Sequence, residues 1–405
     1  MVLSIRHRTS CCPARPHPTS TWLTMRFKSL DSWRGLCAIL VALYHLGFQS
    51  HFGASAFARG SFLFVDFFFV LSGFVMAQAY VGRLQTKADF TTFLIRRFGR
   101  LWPLHMAVLA AYFGENAFKA AAIQVFHLVP KTIPFTGAVS WSSLVANVFL
   151  LHSMGLTSEL TWNGPSWSIS AEFWAYMVFA AVLMRLPRAL VTASLVISIA
   201  AATVLMTHST EFMDTTFRLG FVRGLYGFFL GIIVHRCYLR WGQHPLAAAT
   251  AWEVAIVVAV IAFVSGSYAG AWSYASPLVF AAAVFIFAHD QGRLSQLLTK
   301  HPFQALGTWS FSIYMVHNFL VTQLAIWVGR LNRVIESRLS PEQFQTLLNW
   351  FANPYVLDAL TLVFMFGVIL VSAQTFRWVE EPSRLYFNRL ASSRTAAAQQ
   401  KAAKR

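Results

Sequence analysis

An all-α integral membrane protein, with about ten transmembrane helices in a single bundle and both termini cytoplasmic, is the fold class this sequence predicts, on three observations. Of the 405 residues 57% are hydrophobic and only 12% charged, with a mean hydropathy of +0.54, which is more apolar surface than a soluble domain can bury within itself. The apolar residues gather in runs of about twenty, the length that carries a helix across a bilayer. Lys and Arg concentrate in alternate connections: the N-terminal arm, 82 to 100, the short links near 185, 238 and 295, and the C-terminal end. By the positive-inside rule those segments face the cytoplasm.

Taken in order, the first run covers 33 to 51 and holds Arg34 and His45, eleven positions apart. Eleven helical steps leave two side chains ~20° apart around the axis and ~16 Å apart along it, so one face carries two ionisable groups at two depths. The second run, 61 to 81, carries Asp66 ~8 Å below its outer boundary. The third, 94 to 113, opens on Arg96, Arg97 and Arg100, and the three-residue spacing of the last two sets both guanidinium groups on one face. The fourth, 166 to 184, is entered through Gly164-Pro165-Ser166-Trp167-Ser168; Pro165 suits a first turn, and Glu172 follows at ~9 Å depth. Runs at 189 to 207, 219 to 238, 248 to 265 and 271 to 288 come next. The ninth, 303 to 328, carries Tyr314 and, ~21 Å from its cytoplasmic edge, His317; the tenth covers 357 to 378.

Two long connections, 114 to 165 with an amphipathic piece from Trp141 to Leu151, and 329 to 356 with Arg330, Arg333 and Arg338, fall on the outer side. Loops of that length cap cavities or bind ligands. Residues 1–24 read as a disordered arm or a start placed upstream of Met25, 25–385 as the ten-helix domain, and 386–405 as a basic cytoplasmic tail lying against anionic headgroups. Four cysteines, Cys11, Cys12, Cys37 and Cys237, make no disulfide framework, and the first residues hold no secretory h-region.

The formal charge of +17 is distributed by connection, not gathered into a surface for nucleic acid. An ionised group inside a spanning helix costs about 2.5 kcal/mol or more unless it is paired or hydrated, so such residues are functional candidates. Singly, the arginines of the third run pass as topological anchors, His317 as a core histidine, and Tyr314, Trp167 and Trp174 as packing aromatics. Together they form two groups. Arg34, Arg97 and Arg100 gather at the cytoplasmic mouth, where guanidinium forks suit phosphate. His45, Asp66, Glu172 and His317 are expected to converge on one outer layer as an acid/base cluster. A long phosphate-bearing thioester such as acyl-CoA spans such a bipartite site. No metal is implied, since the two histidines lie on distant helices without ligand-spaced companions.

Five segments in order give the chain a family resemblance. They are Leu30-Asp31 through Arg34-Gly35 to His45; Val65-Asp66-Phe67-Phe68-Phe69-Val70-Leu71-Ser72-Gly73-Phe74; Arg97 with Arg100; Trp167-Ser168 to Glu172; and Phe311-Ser312-Ile313-Tyr314-Met315-Val316-His317. With the Glu380-Glu381-Pro382 ending, the chain over residues 30 to 385 resembles membrane acyltransferase family 3, whose members O-acylate cell-surface polysaccharides, nodulation signals and some secondary metabolites. Trp33 and Trp102-Pro103 are small departures away from the expected chemistry.

The resemblance implies a multi-pass O-acyltransferase of the inner or plasma membrane, moving an acyl group, in the first instance acetyl, from cytoplasmic acyl-CoA to a hydroxyl of a glycan or lipid-linked sugar. His45 is then the general base or a transient acyl carrier, oriented by Glu172 or Asp66. Arg34, Arg97 and Arg100 bind the CoA phosphates, and Trp167, Ser168, Tyr314 and His317 position acceptor or thioester. Acyl-CoA (acetyl-CoA) serves as co-substrate with no bound cofactor; the partners are acceptor and membrane lipids, not nucleic acid. Some family members carry an added extracytoplasmic hydrolase-like domain, so either direct transfer or a separate extracytoplasmic partner is expected here. The competing classes are a proton-coupled secondary transporter, with the buried carboxylates and histidines as a proton relay, and a glycan-export subunit. The arginine pair at the mouth, and the absence of a visible internal repeat, speak against transport.

Overall fold

The computed structural model describes residues 26–130, 132–242 and 244–403, with side chains through Arg394. The arm expected over 1–24, with Cys11 and Cys12, lies outside the described residues. Within them the chain is helical without strands: α1 (Lys28–Leu46), α2 (Ala56–Gly60), α3 (Phe64–Tyr80), α4 (Lys87–Phe126), α5 (Trp141–Val148), α6 (Trp167–Arg185), α7 (Leu190–His208), α8 (Gly220–Trp241), α9 (Ala249–Ser267), α10 (Ser276–Phe287), α11 (Arg293–Leu298), α12 (His301–Glu336), α13 (Pro341–Phe351), α14 (Pro354–Thr375) and α15 (Glu381–Ala403).

Each of the ten apolar runs overlaps one helix, α1, α3, α4, α6, α7, α8, α9, α10, α12 or α14, although α1 ends at Leu46 where the first run was expected to reach 51. Among the described residues, six helical stretches are long and apolar enough to cross a bilayer: Ala56–Tyr80, Gly164–Arg185, Pro187–His208, Ala249–Ser267, His301–Glu336 and Pro354–Arg394. α1, α4 and α8 fall short because the charged and polar residues they carry dilute their apolarity, and α10 has only 12 residues. Leu195, Val196 and Ile199 on α7, and Val258 and Ile261 on α9, point outward and exposed, a surface suited to lipid. The chain is an all-α membrane protein.

Two helix pairs set the frame of the interior. α1 and α12 approach so closely that a Cβ on Gly35 would collide with the backbone of Leu306, and one on Gly307 with the carbonyl of Asp31. Glycine on both sides removes the spacer that would hold the axes apart, as in membrane helix pairs built on small residues. α3 and α8 meet the same way: Gly73 abuts the Phe228 carbonyl, and Gly231 abuts that of Val70. Cys37 is buried and Cys237 half-buried, both as free thiols.

Both long connections differ from expectation. α4 runs 40 residues, ~60 Å, and α12 36 residues, ~54 Å, so each exceeds a bilayer's ~30 Å and projects from it. The C-terminal half of α4 and the middle of α12 are joined by Asn318 donating to the Tyr112 hydroxyl at 3.1 Å and Gln323 to Glu115 at 2.8 Å. Residues 114–126 and 329–336 are therefore helix, because Ala, Glu, Lys, Arg and Leu favour helix whether or not they favour lipid. After α12, a Ser340/Gln343 capping box with Pro341 in the first turn starts α13.

The expected break at 385/386 falls inside α15, which follows a π-helical turn at Phe376–Glu380. The first half of α15 is no free tail. Phe387 lies against Gly99 and its ring is 6.0 Å from Phe98, while Ala391 is fully buried, so the helix packs along α4.

Candidate active site

Five helices enclose a cavity of ≈ 90 Å³. α1 contributes Arg34, α4 contributes Arg97 and Arg100, α6 contributes Ser168, Glu172 and Tyr176, α3 contributes Ser72, and α12 contributes Ser310 and Tyr314. Arg34 is held at 3.4 Å from Asp31, one turn away, and donates to the Ser310 hydroxyl at 3.3 Å. Arg97 lies over the rings of Tyr80 and Tyr176, 5.6 and 5.9 Å from their centroids, and its buried Nε has no hydrogen-bond partner among the described residues. Glu172 accepts from Ser72 Oγ at 2.6 Å and from the Tyr176 hydroxyl at 2.5 Å, a phenol that sits one turn further along the same face. Glu172 and Glu380 both act electrostatically on Arg100. Three guanidinium groups thus line a space with one carboxylate in its wall, a field that favours an anion.

Further along α1 and α12, the rings of His45 and His317 lie 5.0 Å apart. His317 Nδ1 is 3.1 Å from the Ile313 carbonyl, which can only accept, so that nitrogen carries the proton and Nε2 of the neutral ring is bare. His45 Nδ1 is 2.9 Å from the Val41 carbonyl and 3.3 Å from His317 Nε2. Its N–H is therefore shared between two acceptors, and the unshared lone pair of the neutral His45 ring is on Nε2. A half-buried imidazole oriented this way can accept a proton from a hydroxyl brought to Nε2. Tyr314 joins the two parts: it lines the cavity, and its ring is 5.9 Å from that of His317. Its hydroxyl accepts from Ser168 Oγ at 2.8 Å and donates to the Pro165 carbonyl at 3.0 Å.

Three expectations are corrected. Asp66 does not orient His45; it is paired with Arg223 of α8 at 2.8 and 3.0 Å and accepts from Ser276 Oγ at 2.7 Å, with both charged side chains almost wholly buried. Glu172 belongs to the arginine cavity, and the hydrogen-bond partner of His45 from another helix is His317. Trp167 stands under the Arg223 guanidinium at 5.3 Å, packed against Phe69, and does not line the cavity. Arg223 was missed in the sequence; the signal that could have found it is that a buried carboxylate needs a buried cation, and Arg223 lies within the sixth apolar run. Ser72 and Ser310 gave no signal, because serine is unremarkable in a spanning helix until its partner is known.

The family model described as an acyltransferase domain matches residues 27–378. The chain belongs to membrane acyltransferase family 3. Its relatives include Acyltransferase MdmB of Streptomyces mycarofaciens, 28% identical over 327 residues, which are 73% of this chain and 79% of that protein. The putative membrane-bound transacylase BcsY of Komagataeibacter xylinus is 27% identical over 72% of each chain. The peptidoglycan O-acetyltransferase OatA of Listeria monocytogenes is 29% identical over 158 residues, 38% of this chain and 24% of that one. No solved structure matches the chain. As a family member the protein is an acyltransferase, and its candidate site joins an anion-attracting cavity to a histidine pair.

Proposed function

We propose that this acyltransferase moves an acyl group, in the first instance acetyl, from acyl-CoA at the cytoplasmic face to a hydroxyl of a glycan or lipid-linked sugar on the other. What supports this above all is the cavity in which Arg34, Arg97 and Arg100 face Glu172, with Tyr314 leading from it to His317 and His45. The guanidinium groups hold the CoA phosphates, and the pantetheine arm extends past Tyr314 toward the histidines. His45 Nε2 takes the acceptor proton as the hydroxyl oxygen attacks the thioester carbonyl; the thiolate leaves and is protonated. His317 holds the His45 ring through the shared Nδ1 proton. Glu172, hydrogen-bonded to Ser72 and Tyr176, keeps the arginines apart and partly neutralised until the phosphates arrive. No metal or resident cofactor takes part.

In this reading ten helices span the inner or plasma membrane as one domain over 25–385, both termini are cytoplasmic, and the basic end of α15 lies near anionic headgroups. Transfer is direct, or is completed by a separate extracytoplasmic partner. The Listeria relative, a peptidoglycan O-acetyltransferase, favours a sugar acceptor. Isotope-labelled acetyl-CoA supplied to membranes containing the full chain should yield labelled ester on cell-envelope glycan, and mass spectrometry of glycans from deletion and complemented strains should differ by that ester. Identical glycans in both strains would overturn the acceptor.

A further inference from the structure

The connection between α4 and α6 holds a second cavity, of ≈ 130 Å³, separate from the arginine site. Its wall is hydroxyl upon hydroxyl: Ser142, Ser143, Thr157, Ser158 and Thr161, with the carboxylate of Glu159. Several of these groups retain hydrogen-bonding capacity. Thr157 Oγ1 is buried with no partner among the described residues, which costs free energy unless a ligand or water fills it. Thr161 Oγ1 accepts from Asn147 Nδ2 at 2.7 Å, leaving its own proton to donate. Two tryptophans adjoin lining residues, Trp162 buried behind Ser143 and Trp141 exposed next to Ser142. Trp162 donates its indole N–H to Ser143 Oγ at 2.9 Å, and Trp141, 58% exposed, is stacked on Phe135 at 4.8 Å beside Ser142.

We propose that this pocket is a saccharide subsite that anchors the acceptor glycan; the inference rests on the sugar-acceptor reading above and locates where such a sugar is held. A ring of hydroxyls with one carboxylate matches a neutral polyol, and repels the anions that the arginine cavity attracts. The exposed ring of Trp141, the chain neighbour of Ser142, suits the C–H face of a sugar unit held at the rim. The position fits as well. Thr161 is two residues from Asn163, at most ~7 Å of chain, and Asn163 Nδ2 donates to the Met315 carbonyl at 3.0 Å, two residues before His317. Summed along that path, chain geometry sets the pocket within roughly 25 Å of the histidine pair, a span of a few sugar units, so one unit of an oligosaccharide is gripped here while another reaches His45.

Fluorescently tagged N-acetylglucosamine tetramer and tagged cellotetraose, titrated onto the purified full chain without any acyl donor, provide the test by anisotropy. At least one should bind saturably and be displaced by its untagged form. Thr157→Val combined with Glu159→Gln, and separately Ser142→Trp, which fills the pocket, should each weaken binding at least tenfold while the unfolding temperature stays at the wild-type value. No binding of either probe to wild type, or wild-type affinity in every variant that folds, would overturn the subsite. Because the readout needs no donor, saccharide binding without acyl transfer would sink the transferase reading and leave the subsite standing. Acyl transfer to sugar with wild-type saccharide affinity in the variants would do the reverse.

Discussion

His45 and His317 form a pair whose proton positions follow from two backbone carbonyls, and this makes His45 Nε2 the expected base. Replacing His45 by Ala should lower acyl transfer about 10²- to 10⁴-fold while leaving membrane insertion unchanged, measured with labelled acetyl-CoA. Wild-type rates in that variant would remove His45 from the chemistry. In the cavity, Arg97→Ala or Arg100→Ala should raise the KM for acyl-CoA by about 10- to 150-fold, the range for one charge-assisted hydrogen bond, with the acceptor KM unchanged. An unchanged KM for acyl-CoA would return both residues to topology alone. The Asp66–Arg223 pair belongs to stability instead. Arg223→Met should destabilise the protein by about 3 to 5 kcal/mol because it strands a buried carboxylate, and adding Asp66→Leu should recover most of that loss. Denaturation in detergent reads both variants, and equal stability of the single and double variants would refute the pairing.

At the scale of elements, the site depends on how near α1 comes to α12. Only the contact of Gly35 and Gly307 with the opposing backbone lets histidines on separate helices share a proton. Gly307→Ala should cost about 1 to 3 kcal/mol by overpacking, and should reduce activity further by parting the histidines. Gly329→Ala on the same helix, where a Cβ meets open space, is the control and should be neutral. Equal effects of the two changes would show that the close approach does not matter. The π-helical turn before α15 is a second element of interest, since it presents Glu380 to Ser312 Oγ at 2.7 Å, close to the arginines.

For the whole molecule, sidedness decides whether donor and acceptor come from opposite faces. In a background lacking all four native cysteines, a single cysteine at the exposed Ser158 should react on intact cells with a membrane-impermeant thiol reagent. One at Gln296 should not. Exposed Gln296 is the suitable probe of the side expected to face the cytoplasm, because its neighbour Ser295 is fully buried against Glu253, which also accepts from the Gly292 and Leu294 amides. The reverse pattern would invert the topology and cut the proposed route of acyl-CoA to the arginines.

From composition and periodicity the sequence by itself determined an all-helical membrane protein and, through five ordered motifs, the family. These are local properties: twenty apolar residues favour lipid wherever they pack, and a motif needs no partner to be read. Arg97 and Arg100 share a face of α4 as their three-residue spacing implied, because helical periodicity is local, whereas Arg34 of α1 meets them only through the packing of separate helices. Partner choice between helices was decided only by the tertiary structure. Asp66 had equal claim on any cation at its depth until the Gly73 and Gly231 contacts brought α8, and with it Arg223, against α3. His45 likewise had two carboxylates and a histidine as possible neighbours. The glycine seam between α1 and α12 selected the histidine, since a hydrogen bond forms over about 3 Å, a precision that depth along separate helices does not carry.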